Sequence, residues 1–279
     1  MSNLTRKRKI TGSGVLKLAV YAAALLTAAV LVFLVGYILI KGVPHLSFKL
    51  FEWNYSTQNV SLMPALISTI VMTALSLIIA VPLGVFAAIY LVEYAHRGNK
   101  LVGVVRITAE TLSGIPSIIY GLFGLLFFVI TLGGKFSLIA GALTLSIMIL
   151  PLIMRTTEEA LKSVPDTYRE GSFGLGAGRL RTVFKIVLPA AVPGILAGVI
   201  LGIGRIVGET AALLYTAGTI AQVPTALSDS ARTLSVHLYV LSSEGLYIDQ
   251  TYATAVVLLV LVVGINTLSA VLARRIGAR

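Results

Sequence analysis

Residues Gly194–Gly218 read GILAGVILGIGRIVGETAALLYTAG. The run is long and apolar enough to cross a bilayer, yet Arg205 and Glu209 stand near its middle. An ionised side chain at that depth costs about 3 kcal/mol on insertion scales, so such residues mark substrate or ion paths by default. On one continuous helix these two, four positions apart, share a face about 6 Å apart along the axis. Gly194, Gly198 and Gly202 recur at every fourth position, as do Gly204 and Gly208, a spacing that lets a neighbouring helix approach closely. The stretch therefore reads as one packed spanning helix that presents a charged pair to a protein-lined interior.

Composition extends the reading to the whole chain. Of 279 residues, 57% are hydrophobic and 12% charged, with mean hydropathy +0.96. That is about half the charge density of a soluble domain. The net charge of +11 points to topology and not to nucleic acid, because the bases fall between apolar runs and form no basic face with interleaved aromatics. The chain has no cysteine, which excludes disulfides and thiolate chemistry. His45, His96 and His237 stand singly, without carboxylates at ligand spacing, so neither a metal nor a cofactor is expected.

Six apolar runs follow in order. The first, about Val15–Ile40, exceeds the 7–15 residues of a signal-peptide core and is expected to be retained as a span. The second covers about Met63–Leu91 and the third about Ile107–Leu132. The fourth is Ser137–Met154, the fifth is the opening stretch, and the sixth runs about Tyr252–Ala273. Between them lie the aromatic segment 41–62, the charged EYAHRGNK, the turn GGKF, the loop 155–189 and the polar 221–251. If alternate segments share a side, 17 of the 22 Lys and Arg fall on the side of the termini and four on the other, with Arg205 inside the membrane. That bias puts both termini in the cytoplasm. The expectation is an all-α integral membrane protein: a basic cytoplasmic N-terminus 1–14, a six-helix domain 15–273 and a cytoplasmic tail 274–279. Arg106 and Glu110 also stand four apart and are expected to pair at the membrane edge.

The loop 155–189 holds Gly174, Gly176 and Gly178, but no Gly-Lys-Ser/Thr triplet follows, so the chain carries no Walker-type phosphate loop of its own. Its spacing is informative in another way. Glu170-Gly171-Ser172, three residues, Gly176, nine residues, then Ile186-Val187-Leu188-Pro189 resembles the EAA-X3-G-X9-I-X-L-P loop of importer-type ABC transporter permeases. Both alanines of that pattern are replaced, by Gly171 and Ser172, and Gly171 weakens a local helix by up to about 1 kcal/mol. The resemblance implies a type I ABC importer permease fold, a coupling helix that docks on a separate ATPase, Glu170 as a polar contact and Gly176 as the exit turn. Gly171 and Ser172 fall in the same docking segment.

Three longer stretches widen the likeness to nearly the whole chain. GIPSIIYGLFGLLFF, ILPLIMRTTEEALKSVPDTYREGSFGLGA and GRIVGETAALLYTAG are similar to the PstA family of phosphate-importer permeases. This resemblance implies a non-catalytic subunit, with ATP hydrolysis on a partner chain. The partners implied are a second permease subunit (PstC-like), ATPase subunits (PstB-like) and an extracytoplasmic phosphate-binding protein (PstS-like).

Chemistry supports an oxyanion cargo independently. A phosphate path needs a cation that never loses its proton, and Arg205 offers one with planar, multidentate donors. Glu209 is expected to pair with Arg205 when the site is empty and to accept the proton of a P–OH group. Arg155, at the inner end of the fourth span, is a second candidate anion contact, and Ser113, Tyr120 and Thr210 are candidate hydroxyl donors. A permease for sulfate, molybdate or phosphonate fits the same residues. A proton-coupled secondary transporter using Glu209 is the more distant alternative, since no internal repeat is visible.

Overall fold

The computed structural model describes residues 4–96 and 98–277, with side chains over 14–96 and 98–271. The side chains of the N-terminal TRKRKI cluster, of Arg97 and of the closing basic tail lie outside the described residues. Among those described there is no strand. Helix α1 (Leu4–Gly42) precedes an irregular aromatic segment. Helix α2 (Met63–Ile89) continues into a π-helical turn, Tyr90–Tyr94. Helices α3 (Lys100–Ser113) and α4 (Ser117–Gly124, extended by a π-helical Leu125–Thr131) come next, then α5 (Leu138–Lys162) and α6 (Asp166–Gly174). The chain goes on through α7 (Arg179–Thr182), α8 (Leu188–Val207), α9 (Ala211–Leu214), α10 (Leu234–Glu244) and α11 (Ile248–Gly277). Five helical stretches are long and apolar enough to span a membrane, and the α3–α4 pair makes six if counted as one broken span.

That break corrects the expected straight third span. α3 and α4 meet at 102°, because Pro116 has no N–H to give and its ring drives Ile115 away from helical geometry. Pro116 itself adopts φ −57°, ψ 140°. The Tyr120 hydroxyl donates to the Leu112 carbonyl at 2.7 Å, a second bond to an oxygen that already accepts the Ile115 N–H at 3.1 Å, so the side chain ties α4 back to the end of α3. The pair nevertheless runs from one end of the bundle to the other. Arg106 on α3 meets Glu158 near the C-terminus of α5, while the turn after α4 leads into Ser137, whose N–H donates to Thr216 O beside the N-terminus of α5.

α5 is the central post. It packs against α2, where hydroxyls act as polar glue: Ser76 Oγ donates to Ala142 O at 3.3 Å and Ser146 Oγ to Ser76 O at 3.2 Å. On its other side it meets the glycines of α8. A Cβ on Gly194 would lie 2.6 Å from that of Ala160, and one on Gly202 would lie 3.3 Å from Ile153; Gly198 faces Thr156. The first glycine series thus does bring two helices together. The second does not, since Gly204 faces open space and Gly208 only its own helix. α1 stands apart; it touches α11 near one end, where Tyr37 meets Tyr252 and Gly42 packs on Val256.

Candidate functional site

The opening stretch is not one helix. α8 stops at Val207, Gly208 caps it, and a new short helix begins at Ala211. Gly204 and Gly208 weaken the helical backbone. The Glu209 carboxylate then supplies an alternative by accepting the Ala212 N–H at 3.1 Å, so the local side chain competes with helix continuation. The expected Arg205–Glu209 pair is therefore absent among the described residues. Arg205 lies half-buried in the last turn of α8, where the negative end of the helix dipole favours a cation. It has no carboxylate partner among the described residues, and its charge reaches Tyr120 on α4. Glu209 is 8% exposed and faces the start of α9. Chemically this is a permanent cation with donors to spare, beside a broken helix whose end carbonyls and amides are close at hand.

Arg155 sits at the C-terminal end of α5, more than half exposed, with Glu110 Oε1 at 3.8 Å and Glu159 Oε1 at 3.5 Å. Here too the sequence pairing is rearranged. Arg106 does not bind Glu110; its Nε lies 2.7 Å from Glu158 Oε1, and Lys162 Nζ lies 2.5 Å from the same oxygen. Glu158 is buried, so two cations converge on the one carboxylate whose desolvation has to be offset. The result is an ionic seam between α3 and α5 around a cavity of about 240 Å³. Of the expected hydroxyl donors, Tyr120 and Ser113 are turned onto the carbonyls of Leu112 and Glu110, and Thr210 lies half-buried at the α8–α9 junction.

The motif loop folds as α6. It ends in a Schellman turn: Ala177 N–H donates to Ser172 O at 3.1 Å and Gly176 N–H to Phe173 O at 2.9 Å, with Gly176 at φ +80°. That left-handed position is the reason for glycine there. Glu170 and Gly171 are exposed, and a Cβ on Gly171 would meet nothing within 4 Å. Ser172 points the other way. It is buried, and its hydroxyl lies 2.8 Å from that of Thr182 on α7.

Two clusters were not visible from sequence. Arg169, next to the motif, holds Glu93 with Nη2–Oε1 at 2.7 Å. Arg232, at the other end of the molecule, is 9% exposed and has no carboxylate against it among the described residues. Its Nε donates to Thr219 O at 2.7 Å, its Nη1 meets His237 Nδ1 at 3.2 Å, and its guanidinium lies 5.5 Å from the Tyr55 ring centroid. Burial holds the Arg232 guanidinium below its usual range. Burial first, and then the Arg232 charge, push His237 down to about 3, so His237 is a neutral acceptor. An unpaired base counted only towards topology gave no sign of this knot.

Residues 80–279 match the family described as "binding-protein-dependent transport system inner membrane component". The chain belongs to this family. A probable ABC transporter permease protein, YqgI of Bacillus subtilis, is 36% identical over 241 residues, 81% of this chain and 82% of that one. The phosphate transport system permease protein PstA of Mycobacterium leprae is 36% identical over 209 residues, 74% of this chain and 68% of that one. The fold is that of a bacterial ABC transporter involved in the import of the acidic polysaccharide alginate. That match has TM-score 0.66 at 17% identity and covers 96% of this permease and 99% of that chain. The permease is thus a multi-pass membrane protein of the type I importer architecture.

Proposed function

We propose that this permease is one wall of the phosphate path in an ATP-driven importer, itself without catalytic activity. The reading is carried by Arg205: a half-buried guanidinium at a helix end, with no carboxylate against it among the described residues, in a chain related to PstA. Glu209 keeps its place beside the path as an acceptor for P–OH, which it does through the end of a broken helix and not through a pair with Arg205. Arg155, leaving the seam with Glu110 and Glu159, receives the anion at the inner end. Both termini are cytoplasmic, a reading that the charge bias supports when the α3–α4 pair is counted as a crossing. A second permease subunit completes the path, ATPase subunits receive α6 through Glu170 and Gly171, and an extracytoplasmic binding protein delivers phosphate. ATP-driven closure moves α6, and the bundle rocks to switch access.

Uptake of labelled phosphate by proteoliposomes holding the full complex tests this. Arg205→Gln is expected to cut uptake roughly 100-fold, while Arg205→Lys loses less. Full uptake in Arg205→Gln would remove the reading. Competition by sulfate or molybdate at equal concentration would shift the cargo to another oxyanion, and ATP-independent uptake would shift the class to a secondary transporter.

A further inference from the structure

α6 is fastened to the rest of the molecule at two points. One is the Ser172–Thr182 hydroxyl contact, which ties it forward to α7 and so to α8. The other is Arg169, and it has an unusual number of partners. Its Nε lies 3.2 and 3.4 Å from the two oxygens of Glu93, and its Nη2 lies 2.7 Å from Oε1. Nη2 also donates to Leu161 O at 2.9 Å, and Nη1 to Val164 O at 2.8 Å and Asp166 Oδ1 at 3.1 Å. Every nitrogen of the guanidinium is engaged, and the partners come from three elements. Glu93 lies in the π-helical end of α2, Leu161 and Val164 close the C-terminus of α5, and Asp166 opens α6.

The surroundings say what this arrangement is for. Arg169 and Glu93 are 15% and 8% exposed at the side chain, so their attraction is little screened by solvent. Beside them lies a cavity of about 1010 Å³, lined by Glu93, Asp166, Arg169 and Phe173 together with Tyr94 and, from α3, Val102 and Arg106. α6 is therefore not propped against α3 by packing. A planar, bidentate fork resists bending in a way that a single point charge does not. A push on α6 passes through this fork to α2 and α5, and α5 meets the glycines of α8 that lead to Arg205.

We propose that Arg169 and Glu93 form the rigid joint that makes α6, α2 and α5 move as one body, so that loosening it separates ATP hydrolysis from transport without detaching the ATPase. This rests on the importer reading above, in which α6 is the docking helix. Arg169 is a positioning residue; it does not touch the cargo. Glu93→Gln keeps the shape and removes the charge, while Arg169→Lys keeps the charge and removes the fork.

The test uses the full complex in proteoliposomes, with three readouts: ATPase subunit retained per permease, ATP hydrolysed, and phosphate taken up. In both variants the ATPase is expected to stay bound and to hydrolyse ATP, while phosphate moved per ATP falls roughly ten-fold. Uptake and hydrolysis unchanged, or falling together in step, would overturn the joint. The chain has no native cysteine, which permits a second test that does not depend on the strength of the native pair. Glu93→Cys with Arg169→Cys is expected to be uncoupled as free thiols and recoupled once bridged by a short bismaleimide. If bridging instead stops transport, the two residues separate during the cycle and the one-body proposal is wrong. A wild-type complex that neither binds an ATPase nor takes up phosphate would sink the importer reading itself, whatever these variants do.

Discussion

Arg169 and Arg205 are the same side chain in opposite circumstances. The first spends every nitrogen on the protein; the second has no carboxylate partner among the described residues. A guanidinium that is saturated with carbonyl and carboxylate partners cannot take a ligand, and its use is to hold elements in register. One without a carboxylate near a helix end has its binding capacity still available. The molecule therefore separates mechanical and chemical duties between two arginines, with α5 and the glycine face of α8 between them.

The sharpest way to break that comparison is at Arg205. Arg205→Gln is expected to cut phosphate uptake roughly 100-fold, the worth of a lost charge-assisted interaction, with assembly of the complex unchanged on size-exclusion chromatography. Next is the link between the two. Gly198→Val places a branched side chain against Thr156 and is expected to destabilise the α5–α8 contact by about 3 kcal/mol through overpacking. A thermal shift in detergent measures it, and Gly204→Ala, which faces open space, serves as the contrast. With no overpacking it should raise the melting temperature slightly, through the gain of up to about 1 kcal/mol that alanine has over glycine in a helix.

Arg232 sharpens the comparison from a third side, because its partners are neutral. His237 titrates at about 3 in the folded chain, below its ordinary 6.5, so the unfolded state binds the proton more readily. The stability that neutral His237 provides is complete above pH 6.5 and is lost as pH falls from there towards 3. At pH 5 the loss is on the order of 2 kcal/mol. Melting curves between pH 7.5 and 5 should show this loss in the wild type and a flatter profile in His237→Gln. The smallest effect belongs to α6. Gly171→Ala, at an open and exposed position, should stabilise the helix by up to about 1 kcal/mol, read as a small rise in melting temperature of the permease alone.

Much of this architecture is legible in the chain. Apolar runs located the spans, the first glycine series identified the face that meets α5, and the spacing from Glu170 to Pro189 picked out α6 and its left-handed exit at Gly176. The departures have local causes. Pro116 bends the third span, and a short carboxylate-capped helix replaces the second half of the fifth, so residues four apart no longer share a face. Charge pairing read four positions along one helix fails where a carboxylate on another helix is within reach: Arg106 binds Glu158 on α5 and leaves Glu110 to Arg155. Arg169 and Glu93 are 76 positions apart, and no periodicity connects them. Ser172 shows a subtler case, since a letter that departs from the family pattern proves to be a buried hydrogen-bonding group.

Helix α1 is the part of the molecule that owes least to the others. Over its apolar window none of it is buried within this chain, and its contacts with α11 gather at one end. Within this polypeptide, then, the side-chain volumes along its middle answer only to oil–water partitioning. Exchanges among Leu, Val, Ile and Ala there leave the bundle's jigsaw untouched, and any selectivity for their shapes has to come from outside this polypeptide.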